Sequence, residues 1–167
     1  MQKQVEYSDA IKTKYPEQVV IAIAKDRNGK ANPITLGWTM IVSGTPPMMA
    51  ISVAKTHYSI EAITHSRNFT IAFPSSEMAD AALFFGSKSG RDIDKFAEFD
   101  CKTEPAKVID SMLLANAVAN FECTLESQIP AGDHMIFVGE IVSAHINTES
   151  KKRLYTTGPG HKLGSVS

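Results

Sequence analysis

The chain has 167 residues, of which 43% are hydrophobic and 21% charged, with a formal net charge of −1. This length suits one domain that buries its core without disulfide or metal staples. The charge balance gives no electrostatic case for nucleic acid or an anionic membrane surface, and no stretch approaches the roughly 18 apolar residues that argue for a membrane span.

Residues 1–14 read as a polar N-terminal extension without the apolar stretch of a secretory leader, so a cytoplasmic location is expected. Cys101 and Cys123 form no C-x-x-C pair and have no metal-like spacing with histidines, which fits reduced thiols. Residues 18–24 read as the first strand. The polar stretch 25–30 follows, and its Asn28-Gly29 pair is a strong hairpin signal. Residues 33–42 are predicted as one strand, with Gly37 a bulge or a point of close ligand approach. A Thr45-Pro46-Pro47 turn leads into a strand over 48–55, and a helix is predicted over Ser59–Ser66.

Asn68–Phe73 is a predicted strand closed by Pro74. Within 76–85, Met78, Ala81, Ala82 and Phe85 recur at helical spacing. Residues 92–99 allow a further helical turn, 113–117 are ambiguous, and 118–127 and His134–Ile146 read as long strands. Many strands with few short helices point to a mainly β fold, a closed or partly closed barrel carrying helical insertions. No repeat, low-complexity stretch or linker marks a second domain, so residues 1–167 read as one.

The informative segment is 32–59, NPITLGWTMIVSGTPPMMAISVAKTHYS. Alternation puts Pro33, Thr35, Gly37, Thr39, Ile41 and Ser43 on one strand face, and Asn32, Ile34, Leu36, Trp38, Met40 and Val42 on the other, core-like face. A bulge at Gly37 would change that phase for Trp38. The hydroxyls of Thr35, Thr39 and Ser43 suit a ligand surface, and equally suit strands and turns as such. Trp38, the chain's only tryptophan, is either a ligand-facing ring or a core aromatic.

The strand over 48–55 runs into Lys55, Thr56, His57, Tyr58 and Ser59 at a helix start. Free N–H groups and the helix dipole favour a phosphate there, and Thr56 or Ser59 can serve equally as a plain cap. A second cluster, GSKSGRDIDKF over 86–96, adds glycines, Ser89 and the cations Lys88, Arg91 and Lys95. Those cations could instead pair with Asp92, Asp94 or Glu98 along a helix. His134 enters an apolar strand directly after the turn Gly132-Asp133. Gly158-Pro159-Gly160 and Gly164 have the wrong spacing and context for a dinucleotide fingerprint, and no P-loop, G-x-S-x-G or metal-ligand cluster occurs.

NPITLGWTM, VSGTPPMMAISVAKTHYS, GSKSGRDIDKF, AGDHMIFVGE and RLYTTGPGHKLG, in this order, resemble the flavin reductase-like family, which includes the flavoredoxins. The resemblance implies an FMN-binding split β-barrel and a homodimer with flavin near the subunit interface. The apolar strands around 48–53 and 135–141 are the expected contact. It implies flavin-ring contacts along Asn32, Thr35, Leu36, Gly37, Trp38 and Thr39, with Ser43 beyond them. Lys55, Thr56, His57 and Ser59 are expected at the phosphate, with Ser89 and Lys95 close to the flavin. His134 is expected beside the flavin, where the nicotinamide of NADH or NADPH would stack. The implied activity is an NAD(P)H-dependent flavin reductase. The alternatives are a flavoredoxin-type electron carrier reduced by a redox protein partner, and a flavin-binding protein without turnover. His161 departs from the aromatic residue that many relatives carry there.

Overall fold

In the computed structural model, which describes residues 1–166, the apolar run 19–24 lies inside the protein with both faces covered. Val20, Ala22 and Ala24 face one core cluster, with Ile34, Ile51, Ile63, Phe69, Ile71 and Phe137. Val19, Ile21 and Ile23 face a second, with Ala72, Met78, Ala82, Phe85, Leu114 and Leu154. Alternate side chains of a strand point to opposite faces, so a run apolar at every position belongs between two layers.

In chain order the elements are α1 (Tyr7–Ala10), β1 (Glu17–Gln18), β2 (Val20–Lys25), β3 (Ala31–Leu36), β4 (Thr39–Gly44), β5 (Pro47–Ala54), α2 (Ser59–Ser66), β6 (Asn68–Phe73), α3 (Ala79–Ser87) and α4 (Lys95–Glu98), then β7 (Thr103–Pro105), β8 (Met112–Leu114), β9 (Ala119–Ala131), β10 (His134–Ile146), β11 (Tyr155–Gly158) and β12 (Lys162–Gly164). Seven strands form one sheet in the order β3-β2-β6-β9-β10-β5-β4. Every pairing in it is antiparallel.

The two edge strands, β3 and β4, are joined in sequence by Gly37 and Trp38 alone. A residue spans at most about 3.3–3.6 Å, so the sheet has to curl until its edges nearly meet. The result is a split barrel whose seam is bridged by the chain. Trp38 O accepts from the Ser52 N–H at 2.9 Å, tying the bridge to β5. The single strand predicted over 33–42 is therefore two strands on opposite edges. The alternating pattern runs on through Gly37 while the backbone leaves one edge for the other. A Cβ at Gly37 would lie 3.0–3.2 Å from the Glu17 carboxylate, so this corner is also closely packed.

That break overturns the core-like assignment of Trp38, Met40 and Val42, all of which are exposed, with Trp38 at 49% and neighbouring Ile41 at 75%. The strands expected at a subunit contact pair with each other, β5 against β10, and their residues Met49, Ile51, Val53 and Phe137 lie in the chain's own core.

The helices follow their apolar spacing. Met78, Ala81, Ala82 and Phe85 are buried, and α3 packs on β3. In the turn after β2, the Asp26 carboxylate accepts from the Asn28 and Lys30 N–H groups. Residues 7–14 form α1 and a 3-10 turn with no buried side chain. On β9, Glu122 is fully buried. It accepts from the N–H groups of Lys107, Val108 and Ile109 at 2.7–3.0 Å and lies 2.7 Å from His145 Nε2. Burial pushes its carboxyl upward, but those hydrogen bonds prevail and hold it below the ordinary carboxylate value.

Candidate functional site

Strand β5 delivers the chain to the start of α2, and β3 runs alongside. Between them and the segment 86–90 lies a cavity of about 220 Å³, lined in part by Asn32, Thr56, His57, Ser59, Ser89 and Lys95. Its floor is polar and almost completely desolvated. Asn32 is 3% exposed and donates from Nδ2 to Ser59 Oγ at 2.9 Å. Its Oδ1 is buried without a hydrogen-bond partner. Such an atom costs about 1–3 kcal/mol unless something else satisfies it.

Lys95 is 4% exposed, and its Nζ donates to Pro33 O and Phe85 O, both at 2.8 Å. An ammonium carries three N–H donors, so one remains for the cavity. Burial lowers its pKa to about 8. His57 is also held below its ordinary value, first by burial and then by the nearby charges of Lys95, His134 and Arg91. Lys88 also lines the cavity, and three cationic or protonatable groups at a helix N-terminus suit an anion.

Gly90 closes one side. A Cβ there would sit 2.0 Å from Asn32 Oδ1 and 2.9 Å from the Tyr58 ring, so only glycine lets the loop come this close. The loop is fastened from outside by Lys30, whose Nζ donates to Gly90 O at 2.7 Å.

Gly86 and Ser87 are shared with a second cavity of about 380 Å³. This one runs along Thr35, Leu36, Gly37 and Trp38 and is walled opposite by Ala82 and Leu83. Lys14, Tyr15, Glu17, Thr156, His161 and Leu163 close its outer end. The two cavities form one cleft, polar and cationic at one end and broader and more apolar at the other. At the Trp38 corner the His134 ring packs on the indole, with centroids 4.6 Å apart and planes at 33°. His134 Nδ1 lies 2.7 Å from Asp133 Oδ1. That hydrogen bond and the histidine's charge lower the Asp133 pKa. Sequence neighbours in a strand would face apart, but Asp133 belongs to the turn.

The structure thus gathers Asn32, Thr56, His57, Ser59, Ser89 and Lys95 at the cationic end, and Thr35, Leu36, Gly37 and Trp38 at the broad end. Thr39 turns away and donates from Oγ1 to Ala50 O. Ser43 pairs with Met48 near the far end of β4, outside both cavities. Lys55 Nζ donates to Gly132 O at 2.6 Å, tying α2's lead-in to the β9–β10 turn rather than lining the cavity. Arg91 and Lys95 do not pair with Asp92, Asp94 or Glu98. Arg91 reaches Thr56 O and Glu61, and Lys95 reaches two backbone carbonyls. Sequence reasoning missed Tyr58 and Glu17. Tyr58 sat inside the stretch of interest, but Glu17 carried no signal. Among the described residues, no group of three His, Cys, Asp or Glu side chains forms a metal site, and no helix is long and apolar enough to cross a membrane.

A model of the flavin reductase like domain family matches residues 12–163. Among curated proteins, the chain is 32% identical over 142 residues to the actinorhodin polyketide dimerase of Streptomyces coelicolor, covering 84% of this chain and 76% of that protein. It is 30% identical over 112 residues to the NADH-dependent FMN reductase AsuE2 of Streptomyces nodosus subsp. asukaensis, covering 67% of this chain and 60% of that one. The chain spans between about half and three quarters of the length of the curated relatives it matches. Among solved structures, the flavoredoxin from Methanosarcina acetivorans superposes with a TM-score of 0.87 at 25% identity, covering 100% of this chain and 92% of that one.

Proposed function

The chain belongs to the flavin reductase-like domain family, and on that premise we propose that it is an FMN-binding oxidoreductase whose flavin is reduced by NADH or NADPH. The observation that carries this reading is the unpartnered, buried Oδ1 of Asn32 beside the spare donor of Lys95. Asn32 and Lys95 both line a cavity whose continuation has room for a planar ring system. The residues fit the group. Lys95, Ser59, Ser89 and His57 would hold the phosphate end, Asn32 would meet a polar group of the ligand, and the segment 35–38 would supply backbone along the ring. A bound flavin would supply the redox chemistry.

The protein's own work is binding and orientation. The Trp38–His134 pair presents two aromatic rings, tilted by 33° to each other, at the open corner, and Asp133 orients the imidazole through Nδ1. His134 is the residue we assign to positioning the incoming nicotinamide. The exposed edge strand β4, with Met40, Ile41 and Val42 uncovered beside Trp38, is the surface we assign to a homodimer contact. Free Cys101 and Cys123 suit a cytoplasmic protein.

The likeness to a flavoredoxin favours one second reading, an electron carrier that keeps its flavin and is reduced by a redox protein. Absorbance of the purified protein, followed by anaerobic mixing with NADH and NADPH, tests both. A flavin band near stoichiometric with protein and bleached by a nicotinamide supports the reductase. A band that bleaches only with a protein donor supports the carrier. Absence of flavin binding overturns the reading.

A further inference from the structure

We propose that Glu61, paired with Arg91 on the rim of the phosphate cavity, makes the site select a flavin mononucleotide over a flavin dinucleotide. This rests on the flavin reading above. The two ligands share a ring and a first phosphate and differ in what leaves the cavity, because a dinucleotide carries a second phosphate and an adenosine past the rim.

The rim lies where the start of α2 meets the loop after α3. Thr56, Tyr58 and Gly90 line the cavity, and Arg91 follows Gly90 directly. Arg91 spans the gap: Nη1 donates to Thr56 O at 3.1 Å, and Nη2 pairs with Glu61 in the first turn of α2. The guanidinium carbon lies 5.4 Å from the Tyr58 ring centroid. The loop is held independently by Lys30, through Gly90 O and Ile93 O, and Tyr58 is fixed by its hydroxyl donating to Asp26 Oδ2 at 2.9 Å. The Arg91–Glu61 pair is therefore not what keeps the loop in place.

Both members of the pair are solvent-exposed, a setting in which an ion pair contributes little to stability. Its consequence is for ligands. Glu61 occupies the cation that could otherwise meet a second phosphate, and it sets a negative charge beside that phosphate's path. An element that repels the wrong ligand produces selectivity without improving contacts to the right one. The smaller ligand ends before the rim and is indifferent to it.

The test is titration of the unaltered chain, Glu61→Gln and Arg91→Ala with FMN and with FAD, followed by flavin fluorescence at low and moderate salt. The quantity compared is the ratio of the two affinities. Glu61→Gln frees Arg91 and should raise FAD relative to FMN by about fivefold or more at low salt. Arg91→Ala leaves the carboxylate unpaired and should move the ratio the opposite way. The unaltered chain's preference should shrink as salt rises. Ratios that move together in the two variants report a loosened loop and overturn the proposal, as does a change within about twofold in either. If the unaltered chain binds neither flavin, the functional reading falls, and this inference with it.

Discussion

Two buried polar clusters in this chain are treated in opposite ways. Around Glu122, three backbone N–H groups and His145 satisfy the carboxylate, and nothing is left over. Around Asn32, Ser59 takes one end of the amide while Oδ1 faces Gly90 without a partner, and Lys95 keeps a donor in reserve. Buried polar groups are almost always paired, so an exception asks for a reason. The first cluster is complete as structure: it pins the segment 107–109 to β9. The second leaves Asn32 Oδ1 and one Lys95 donor unpaired beside a cavity. Burial of polar groups is not itself a functional sign; Asn32 stands apart because its unpaired amide oxygen belongs to a residue that lines a cavity.

The largest expected effect falls on the completed cluster. Glu122→Ala strands three backbone amides and His145 and should destabilise the fold by about 3–5 kcal/mol, as when one member of a buried charged network is removed. Denaturant unfolding would measure this. Flavin affinity of the folded fraction should stay unchanged. The Glu122 pKa is depressed in the folded state, so its stabilisation is present above the unfolded carboxylate value of about 4.3. It is lost as pH falls through the lower folded value. The variant's stability should therefore depend less on pH in that acid window. A variant as stable as the parent would end the contrast between the clusters.

The unfinished cluster should behave in the reverse manner. Lys95→Met removes a charge-assisted donor to the ligand, at about 1.5–3 kcal/mol, or roughly one to two decades in FMN affinity. Burial sets the Lys95 pKa at about 8 against an ordinary 10.5. A phosphate favours the ammonium, so FMN affinity should be full below about 8 and decline as pH rises through it. Riboflavin, lacking the phosphate, should show less decline, and Lys95→Met none from this group. In the ligand-free protein the sign differs: between about 8 and 10.5 the unfolded chain binds the extra proton, so stability gains from this residue as pH rises. Asn32→Ala should weaken FMN binding by about tenfold while moving ligand-free stability by less than about 1 kcal/mol, because it deletes an unsatisfied atom along with one hydrogen bond. Large loss of stability with intact binding would place Asn32 with Glu122.

Periodicity made much of the fold legible. The apolar run 19–24, the helix at Ser59 and the spacing of Met78, Ala81, Ala82 and Phe85 are local signals, and each appears where predicted. The break at Gly37 was not legible as a break, since alternation continues across it while the backbone crosses from one sheet edge to the other. Glu122 reads as the polar residue of an alternating strand, and its burial depends on a loop folding over it from 15 residues away. The cationic end of the cleft was largely legible, because helix starts and cation clusters carry their chemistry locally. The expectation of Lys55 at the phosphate and of Ser43 beyond the ring contacts rests on proximity in sequence. Their directions depend on the β9–β10 turn and on the length of β4.

The smallest effect is the most local test of the contrast. Gly90→Ala adds one methyl where the nearest atoms are Asn32 Oδ1 at 2.0 Å and Tyr58 Cδ1 at 2.9 Å. The Asn32 amide is anchored by Ser59, and Tyr58 by Asp26, so the loop has to retreat rather than its neighbours. Retreat breaks no buried charged network, and the ligand-free protein should lose no more than about 1–3 kcal/mol, the usual range for overpacking. Ser89, next to Gly90 in the retreating loop, moves away from the phosphate end, and FMN affinity should fall several-fold with riboflavin less affected. Gly139 supplies the control. A Cβ there meets Phe69 at 2.6 Å and Cys123 at 2.7 Å inside the finished core, so Gly139→Ala should destabilise the fold and leave the two ligands' relative affinities alone. Equal effects of the two substitutions on the FMN-to-riboflavin ratio would show that loop 88–91 does not touch the ligand's phosphate end.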